Sequence, residues 1–375
     1  MAKAFIHCRE LEQYPYPDSC PFNTSRAGKT RALLASMGLL SGGGKTEVAP
    51  ARALREVLEK FHTRAYLDAL ELADRGEFSM DMLYMGLGTG DCPVFSGVYQ
   101  YSSWGAGATV TGAELILAGK ADVAFNPSGG YHHAFPDRAA GFCYVNDVVL
   151  GCMTLAAAGR RVAFLDIDVH HSDGVQAAFY DRRDVLTISL HQDGRTLFPG
   201  TGFVDEIGTG EGKGYAVNVP LPPGTYDAAY MRAFREVVLP ILKAYNPDVM
   251  VMEIGADTLA GDPLANLNLT NNTIADAISL IVGLGKPVLA TGGGGYNVEN
   301  TARAWALAWT ALCGEDRQDE LTAGMGGVLL ETTDWSGGLR DRQLAPDRSR
   351  CALVDEAIDK VIRDVKKAVF PCHGL

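Results

Sequence analysis

A cluster of carboxylates and imidazoles directly follows one apolar segment of the chain. Residues 162–167 are almost continuously apolar, which is typical of a strand buried on both faces of a parallel sheet. Around the end of this segment lie three carboxylates and two imidazoles: Asp166, Asp168, His170, His171 and Asp173. Such groups would repel and desolvate one another without a neutralising positive charge, so a bound divalent metal is the simplest explanation. Asp and His donors together suit zinc, iron or manganese. The alternative is an acidic, solvated loop that carries a His pair and binds no metal.

Other residues at predicted strand ends could complete a hydrolytic site. Asp257 follows an apolar strand and is the best candidate for a third metal ligand beside Asp168 and His170, although it could equally cap a turn. His132 and His133 lie on a glycine-containing loop and could transfer protons. The remaining carboxylates, Asp166 and Asp173, are then free to orient those imidazoles and raise their basicity. In isolation, an HH pair is more often a satisfied structural pair.

Tyr296 follows four consecutive glycines, residues 292–295. The glycines permit unusual backbone angles, and the phenol could donate a hydrogen bond to a developing oxyanion. A dinucleotide-binding GxGxxG reading fails because Asn297 stands where the last glycine should be, and a P-loop reading of residues 41–46 fails because Leu39 replaces the required glycine. Together these residues indicate metal-assisted hydrolysis of a carbonyl compound.

Strands and helices alternate along the whole chain. The pattern predicts strands at 4–7, 122–125, 162–167, 184–190, 215–219, 247–254 and 287–291, with helices between them and a flexible turn at 41–46. This alternation favours an α/β fold with a parallel β-sheet flanked by helices on both faces, in a single domain spanning 1–375. Polar clusters recur at the carboxyl ends of the strands, which is where open α/β sheets place their ligand sites. His62 is expected at the surface or as a cap.

Composition limits the class of protein. The chain has 375 residues, 47% of them hydrophobic, a formal net charge of -12 and a sequence pI of about 5.1. No Lys/Arg-rich run is present, so direct nucleic-acid binding is not expected. The eight cysteines are scattered without a CxxC, which is typical of reduced thiols in an intracellular protein. With no signal peptide and no segment long enough to span a membrane, we expect a cytoplasmic protein.

Several long segments carry a clear family resemblance. The sequences GGYHHAFPDRAAGFCYVND, DIDVHHSDGVQAAFY, SLHQDGRTLFPGTG, GADTLAGDPLANLNLT and GGGGYNVENTARAW resemble those of the class I histone deacetylase family and its bacterial acetoin-utilisation-type relatives. The similarity runs in order from near the N-terminus to about residue 313 and implies an arginase/deacetylase-like fold. Residues 314–375 are not distinctive, and we expect them to form a helical extension of the same domain.

The resemblance implies a zinc-dependent hydrolase that removes acetyl or related acyl groups from N-ε-acyl-lysine in proteins or peptides. Its zinc ligands, for which ferrous iron could substitute, would be Asp168, His170 and Asp257. Its tandem histidines would be His132, paired with Asp166, and His133, paired with Asp173. His133 would be the proton shuttle, His132 would supply charge and orientation, and Tyr296 would hold the oxyanion together with the metal.

The resemblance also implies residues for substrate, product and monovalent cations. The acyl-lysine tunnel would use Gly141, Phe142, Phe198 and, at its rim, Leu264. Asp91 would grip the substrate backbone, and Arg26 would line an internal channel for the released acetate. One K⁺ or Na⁺ site would use Asp166, Asp168, His170, Ser189 and Leu190, and a second would use the backbone carbonyls of Phe179, Arg182, Val185 and Tyr215.

Departures from the family pattern leave alternatives open. Tyr131 stands where relatives more often carry an apolar residue or tryptophan, Ser172 stands where glycine is common, and Asp193 and Arg195 make one rim loop polar. The chain could instead deacylate small acylated amines such as acetylpolyamines. It could also be a ureohydrolase with two manganese ions, or a pseudo-enzyme that acts as a binding module. The sequence leaves the natural substrate, the preferred acyl length and the oligomeric state open.

Overall fold

A computed structural model describes residues 2–315, 339–344 and 348–375. Eight strands form one sheet in which every neighbouring pair is parallel, in the order β2-β1-β3-β8-β7-β4-β5-β6. The strands are β1 Lys3–Ile6, β2 Lys45–Val48, β3 Val123–Asn126, β4 Val162–Asp166, β5 Val185–Gln192, β6 Ala216–Leu221, β7 Val249–Glu253 and β8 Val288–Thr291. The predicted α/β class and parallel sheet are therefore confirmed.

Helices cover both faces of this sheet. They are α1 Ser25–Ser36, α2 Arg55–Leu58, α3 Arg64–Asp74, α4 Asp81–Tyr84, α5 Val98–Leu117, α6 Asp147–Ala157, α7 Asp173–Phe179, α8 Asp227–Ala233, α9 Leu239–Tyr245, α10 Asn271–Val282 and α11 Val298–Leu312, followed by a C-terminal helix, Arg348–Val369. Two apolar cores result, because successive strand side chains point to opposite faces. In β4, for example, Ala163 and Leu165 enter one core whereas Val162 and Phe164 enter the other.

The edge strand β2 was not predicted. Residues 41–46 were expected to form a flexible turn, but Lys45–Val48 pairs in parallel with β1. Three of the four residues in its sequence KTEV are polar, and none of its side chains is buried. An edge strand of this kind lacks the apolar run from which the inner strands were recognised. The predicted turn is therefore found at 41–44 but was wrong for Lys45 and Thr46, which begin the strand.

Two of the predicted helical segments are each divided into shorter elements. The helix expected over residues 51–72 is interrupted as predicted near 61–63, leaving the short α2 and the longer α3. The helix expected over 228–245 contains a π-helical turn, Phe234–Val238, between α8 and α9. That turn ends two residues before Pro240. Proline lacks a backbone N–H, and its ring clashes with the carbonyl four residues earlier in a regular α-helix, so the hydrogen bonding changes here.

The C-terminal helix extends four residues further toward the N-terminus than the segment predicted at 352–369. Its apolar residues Val354, Ile358, Ile362, Val365 and Val369 belong to the core that also contains the inner faces of β5 and β6. Tyr226 donates a hydrogen bond to Asp355 of this helix (2.9 Å). The rest of the predicted C-terminal extension, 316–338 and 345–347, lies outside the described residues. Within the described ranges, no helix combines the length and apolarity needed to cross a membrane.

Candidate active site

The predicted functional residues meet at the carboxyl edge of the sheet. His132 and His133 follow β3, Asp168 and His170 follow β4, Asp257 follows β7, and Tyr296 follows β8. These four strands are adjacent in the order β3-β8-β7-β4. Because all of them run in parallel, the loops that leave them converge on one place, as predicted.

Asp168, His170 and Asp257 form a compact group of potential metal ligands. One donor atom from each lies within 4.8 Å of the others, and all three side chains are buried. The Nδ1 atom of His170 is 3.1 Å from both Asp168 Oδ1 and Asp257 Oδ2. Two carboxylates and one imidazole are a donor set that fits zinc or ferrous iron with a position left open for water. The residues therefore fit the divalent metal that the sequence implied.

Backbone contacts fix the two carboxylates. The amide of Gly294 donates to Asp168 Oδ2 (2.6 Å), and the amide of Val169 donates to Asp257 Oδ1 (3.0 Å). Glycine is required at Gly294, because a Cβ atom there would lie 1.9 Å from the second oxygen of Asp257. The glycine run before Tyr296 is thus tied directly to two potential metal ligands.

Burial disfavours the charged form of every side chain in this group, so the pKa of each depends on its contacts with the others. Burial lowers the pKa of His170, but hydrogen bonds to Asp168 and Asp257 outweigh it and raise that pKa to about 10. Burial and the charge of Asp168 raise the pKa of Asp257 to about 7. The group therefore attracts a positive charge, which a divalent cation at the same atoms would supply.

The tandem histidines lie beside this group and are held by separate carboxylates. His132 Nδ1 is 2.9 Å from Asp166 Oδ2, and His133 Nδ1 is 2.7 Å from Asp173 Oδ1. Burial and the charge of His132 lower the pKa of His133 to about 4. Although burial also acts on His132, the nearby carboxylates of Glu253 and Asp166 raise its pKa well above the usual value. The pair therefore combines a neutral imidazole with an imidazolium.

Two residues that support this loop were not recognised in the sequence. His62 was expected at the surface or as a cap, but it is buried, and its Nε2 atom accepts a hydrogen bond from the amide of Asn146 (3.0 Å). The side-chain amide of Asn146 in turn donates to the carbonyls of His132 (3.2 Å) and Ala134 (2.9 Å). His62 therefore helps to fix the loop that carries the tandem histidines, and the surface expectation was wrong.

Glu253, the last residue of β7, also reaches the site and was missed. It is fully buried, and its Oε1 atom lies 3.0 Å from His132 Nδ1. The available signal was a lone glutamate closing an otherwise apolar strand, VMVME. An acid in that position is costly to bury, so it requires a specific partner.

Tyr296 faces the metal group across a small gap. Its ring centroid is 6.3 Å from that of His170 and 5.7 Å from that of Phe142. Its backbone amide donates to Asp262 Oδ2 (2.8 Å), whose other oxygen accepts from the amide of Leu264 (2.9 Å). Burial raises the pKa of the Tyr296 phenol well above its usual value, so the group remains a proton donor.

Known proteins are similar to this chain in sequence. A comparison with protein families matches residues 20–312 to the histone deacetylase domain. The chain belongs to the histone deacetylase family. Histone deacetylase 8 of Danio rerio is 41% identical over 305 residues, covering 81% of this chain and 80% of the relative. Histone deacetylase RPD3 of Saccharomyces cerevisiae is 39% identical over 308 residues, covering 81% of this chain and 70% of the relative.

Solved structures agree with this assignment. A crystal structure of an HDAC homolog complexed with SAHA has a TM-score of 0.86 and 31% identity, covering 97% of this chain and 99% of that one. An HDAC homolog from Aquifex aeolicus has a TM-score of 0.84 and 32% identity, covering 96% and 100%. The resemblance stated from the sequence and the arginase/deacetylase-like fold class are confirmed.

Of the residues that the family resemblance assigns to an acyl-lysine tunnel, Gly141, Phe142 and Phe198 lie beside residues of the site. Phe198 is 46% exposed, and its ring centroid lies 5.0 Å from that of His133 and 6.4 Å from that of His170. Gly141 has a positive φ of 52°, and a Cβ atom there would come within 2.4 Å of His133. Phe142 lies next to Tyr296, so each of the two phenylalanines is close to a ring of the site.

At the rim, Asp91 is held by its own neighbours. Its Oδ2 atom accepts a hydrogen bond from the amide of Gly141 (3.0 Å), and its Oδ1 atom accepts from the hydroxyl of Thr89 (2.8 Å). Asp91 thus lies next to the predicted tunnel residues. Leu264 is partly buried and is fixed through the Asp262 contact.

Arg26 lies on the inner side of the site, where the resemblance places a product channel. It is 4% exposed, donates to the carbonyl of Gly295 (2.8 Å) and stacks on the rings of Phe22 and Trp305. The unusual Tyr131 is buried nearby and donates its hydroxyl to that of Tyr101 (2.5 Å). This inner region therefore carries one guanidinium among aromatic rings.

For the two implied monovalent-cation sites, the structure shows where several of the named residues lie. In the first set, Asp166 on β4 is in register with Ser189 on β5, which directly precedes Leu190, and Asp168 and His170 follow Asp166 along the chain. In the second set, the carbonyl of Phe179 accepts from the amide of Arg182 and that of Tyr215 accepts from the amide of Thr187. Each carbonyl oxygen has a second lone pair. Cation binding at both places, including at Val185, stays a prediction.

Proposed function

We propose that this chain is a zinc-dependent lysine deacylase that hydrolyses N-ε-acetyl-lysine, or a related acyl-lysine, in proteins or peptides. The observation that carries the proposal is a neutral His133, oriented by Asp173, beside the Asp168–His170–Asp257 donor set. When bound at that set, a divalent metal would supply Lewis acidity toward water and the acyl carbonyl. The family membership supports a deacetylating hydrolase.

The chain's own residues would transfer the protons and stabilise the oxyanion. Because Asp173 accepts the Nδ1 proton of His133, the basic lone pair of this imidazole is on Nε2, which lies 3.0 Å from His132 Nε2 and would turn to the attacking water to take its proton. His132, beside Asp166, contributes positive charge next to that proton. The Tyr296 hydroxyl donates a hydrogen bond to the oxyanion that forms from the acyl carbonyl. His133 afterwards returns the proton to the lysine amine, which leaves as the carbon–nitrogen bond breaks.

The rings of Phe142 and Phe198 support the proposal that an extended, unbranched lysine side chain enters the site. Two aromatic walls favour the apolar methylene stem of lysine over a charged group. Asp91 at the rim supports recognition of a peptide backbone, and Arg26 inside supports departure of a carboxylate product. The net charge of -12 favours binding of basic protein partners over binding of nucleic acid.

The experiment is turnover of a matched substrate panel. One lysine peptide would carry acetyl, propionyl, lactyl or longer acyl groups, and acetylspermidine would test the small-amine alternative. Metal-free protein would be assayed after addition of Zn²⁺ or Fe²⁺. Tyr296→Phe would be compared with Tyr245→Phe, whose hydroxyl bonds to carbonyls of residues 183 and 184 away from the site.

We expect metal-dependent cleavage of an acyl-lysine peptide, a loss of about 100-fold or more in kcat for Tyr296→Phe, and normal turnover for Tyr245→Phe. A preference for acetylspermidine would replace the substrate class. Two equivalents of manganese and activity on a guanidino compound would support the ureohydrolase hypothesis. No turnover of any substrate would favour a binding module.

Two broader expectations remain part of the proposal. All eight cysteines are free thiols in the structure, which supports a reducing, cytoplasmic location. The contribution of the C-terminal helix to the main core supports one domain over 1–375.

A further inference from the structure

Glu253 is a fully buried carboxylate for which the mechanism above has no use. It ends β7, where it is in register with Asp166 on β4 and Thr291 on β8. Its carboxylate belongs to a second group of potential ligands, with His132 and Asp168, whose donor atoms lie within 4.8 Å of one another. The side chain thus lies between the tandem histidines and the metal group.

The carboxylate is poorly compensated by its surroundings. Among the residues that the structure describes, neither oxygen of Glu253 has a hydrogen-bond partner of good geometry. Oε1 does approach His132 Nδ1 at 3.0 Å, but Asp166 already lies 2.9 Å from the same nitrogen. Two carboxylates therefore compete for one imidazole N–H, in a region that excludes water.

A buried carboxylate of this kind is costly unless a positive charge offsets it. Asp166, Asp168, Asp257 and Glu253 are all 0% exposed, which makes four buried acids around one point. The imidazoliums of His132 and His170 do not balance four carboxylates, and burial raises the pKa of Glu253 well above its usual value. A divalent cation at the Asp168–His170–Asp257 set would lie close enough to interact with Glu253 through a low-dielectric interior, where charges act strongly.

We propose that Glu253 is an electrostatic partner of the metal centre. It strengthens divalent-cation binding at Asp168, His170 and Asp257 without being a ligand itself. This inference rests on the metal site of the proposed function but not on its catalytic activity. It also explains why an acid closes a strand whose other residues are apolar.

The test is metal affinity, measured by competition with a chelator for Zn²⁺ and by the visible absorption of Co²⁺. Wild type would be compared with Glu253→Gln, which keeps the shape and removes the charge, and with Glu253→Asp, which keeps the charge. The matched control is Glu206→Gln, since Glu206 accepts hydrogen bonds from the amides of Gly202 and Phe203 outside the metal group.

We expect the dissociation constant of both metals to rise about tenfold or more in Glu253→Gln and to change about threefold or less in Glu253→Asp and Glu206→Gln. The Co²⁺ spectrum should keep its shape, because the ligands are unchanged. Without metal, burial raises the pKa of Glu253 well above its usual value and disfavours the charged form, so Glu253→Gln should melt at the same temperature as wild type or at a higher one. With metal, its gain in melting temperature should be smaller than that of wild type.

Several results would overturn the inference. Equal affinity in Glu253→Gln and wild type would show that the charge does not reach the metal. A lower melting temperature of the metal-free variant would indicate a purely structural role. Two metal ions per wild-type chain and one in Glu253→Gln would make Glu253 a ligand. Because none of these measurements uses turnover, tight metal binding without deacylation would reject the proposed function and leave this inference standing.

Discussion

The Nε2 atoms of His132 and His133 lie 3.0 Å apart, yet the two imidazoles are driven to opposite protonation states. Two carboxylates beside His132 favour its charged form, whereas burial and the charge of His132 favour the neutral form of His133. Only a neutral imidazole can accept a proton, so the structure gives a physical reason for the different roles that the family resemblance implies for the two histidines.

The first prediction concerns the pH dependence of turnover. His133, with a pKa of about 4, is neutral and active above that pH and becomes protonated below it. We expect kcat of the metal-loaded protein to stay level from neutral pH down to about 5 and to fall as the pH approaches 4. His133→Ala should lower kcat by about 100-fold or more at every pH. An acid limb centred near pH 6.5 would contradict the depressed pKa.

The second prediction concerns stability and His62. Burial lowers the pKa of His62 from 6.5 to about 4, so the folded state holds it neutral while the unfolded state takes up a proton below pH 6.5. The stabilisation that comes from holding His62 neutral is complete above pH 6.5. It is lost as the pH falls toward 4, which lowers the free energy of unfolding by up to about 3 kcal/mol. His62→Gln keeps an acceptor for the Asn146 amide but cannot titrate.

The measurement for His62 is urea unfolding between pH 7 and pH 4. The free energy of unfolding should fall less steeply with decreasing pH in His62→Gln than in wild type. His373→Gln is the control, because His373 is a partly exposed histidine near the C-terminus. Parallel pH curves for wild type and His62→Gln would contradict the prediction.

The third prediction concerns the approach of the glycine run to the metal ligands. A Cβ atom at Gly294 would lie 1.9 Å from the carboxylate of Asp257, which must then move. Gly294→Ala should lower bound zinc and activity together, by about tenfold or more. Gly90→Ala, where the added carbon meets no atom within 4 Å, should bind zinc normally. Full zinc occupancy in Gly294→Ala would contradict this prediction.

The fourth prediction concerns the anchor of Tyr296. Asp262 accepts backbone hydrogen bonds from both Tyr296 and Leu264, and an asparagine can accept only one of them. We expect Asp262→Asn to lower kcat about tenfold because the phenol is less well positioned, with little change in KM or zinc content. Asp276→Asn, an exposed acid paired with Arg340, should leave kcat unchanged. A rise in KM with constant kcat would instead indicate a role in substrate binding.

The sequence by itself determined the α/β class, seven of the eight strands, the residues that gather at one sheet edge and the family resemblance. It could do so because apolar runs of strand length are local, and because parallel strands must bring their carboxyl ends to one edge. The edge strand Lys45–Val48 has no such run, so only its pairing with β1 reveals it.

The tertiary structure decided the electrostatics of the site. The buried positions of Glu253 and His62, the anchoring of Tyr296 by Asp262 and the contrast between the two histidines all depend on contacts between distant parts of the chain. Burial and charge–charge distance set the free energy of a charged side chain, and both are properties of packing. Residue spacing identifies which groups can do chemistry, whereas packing fixes which of them carry the charge and which carry the proton.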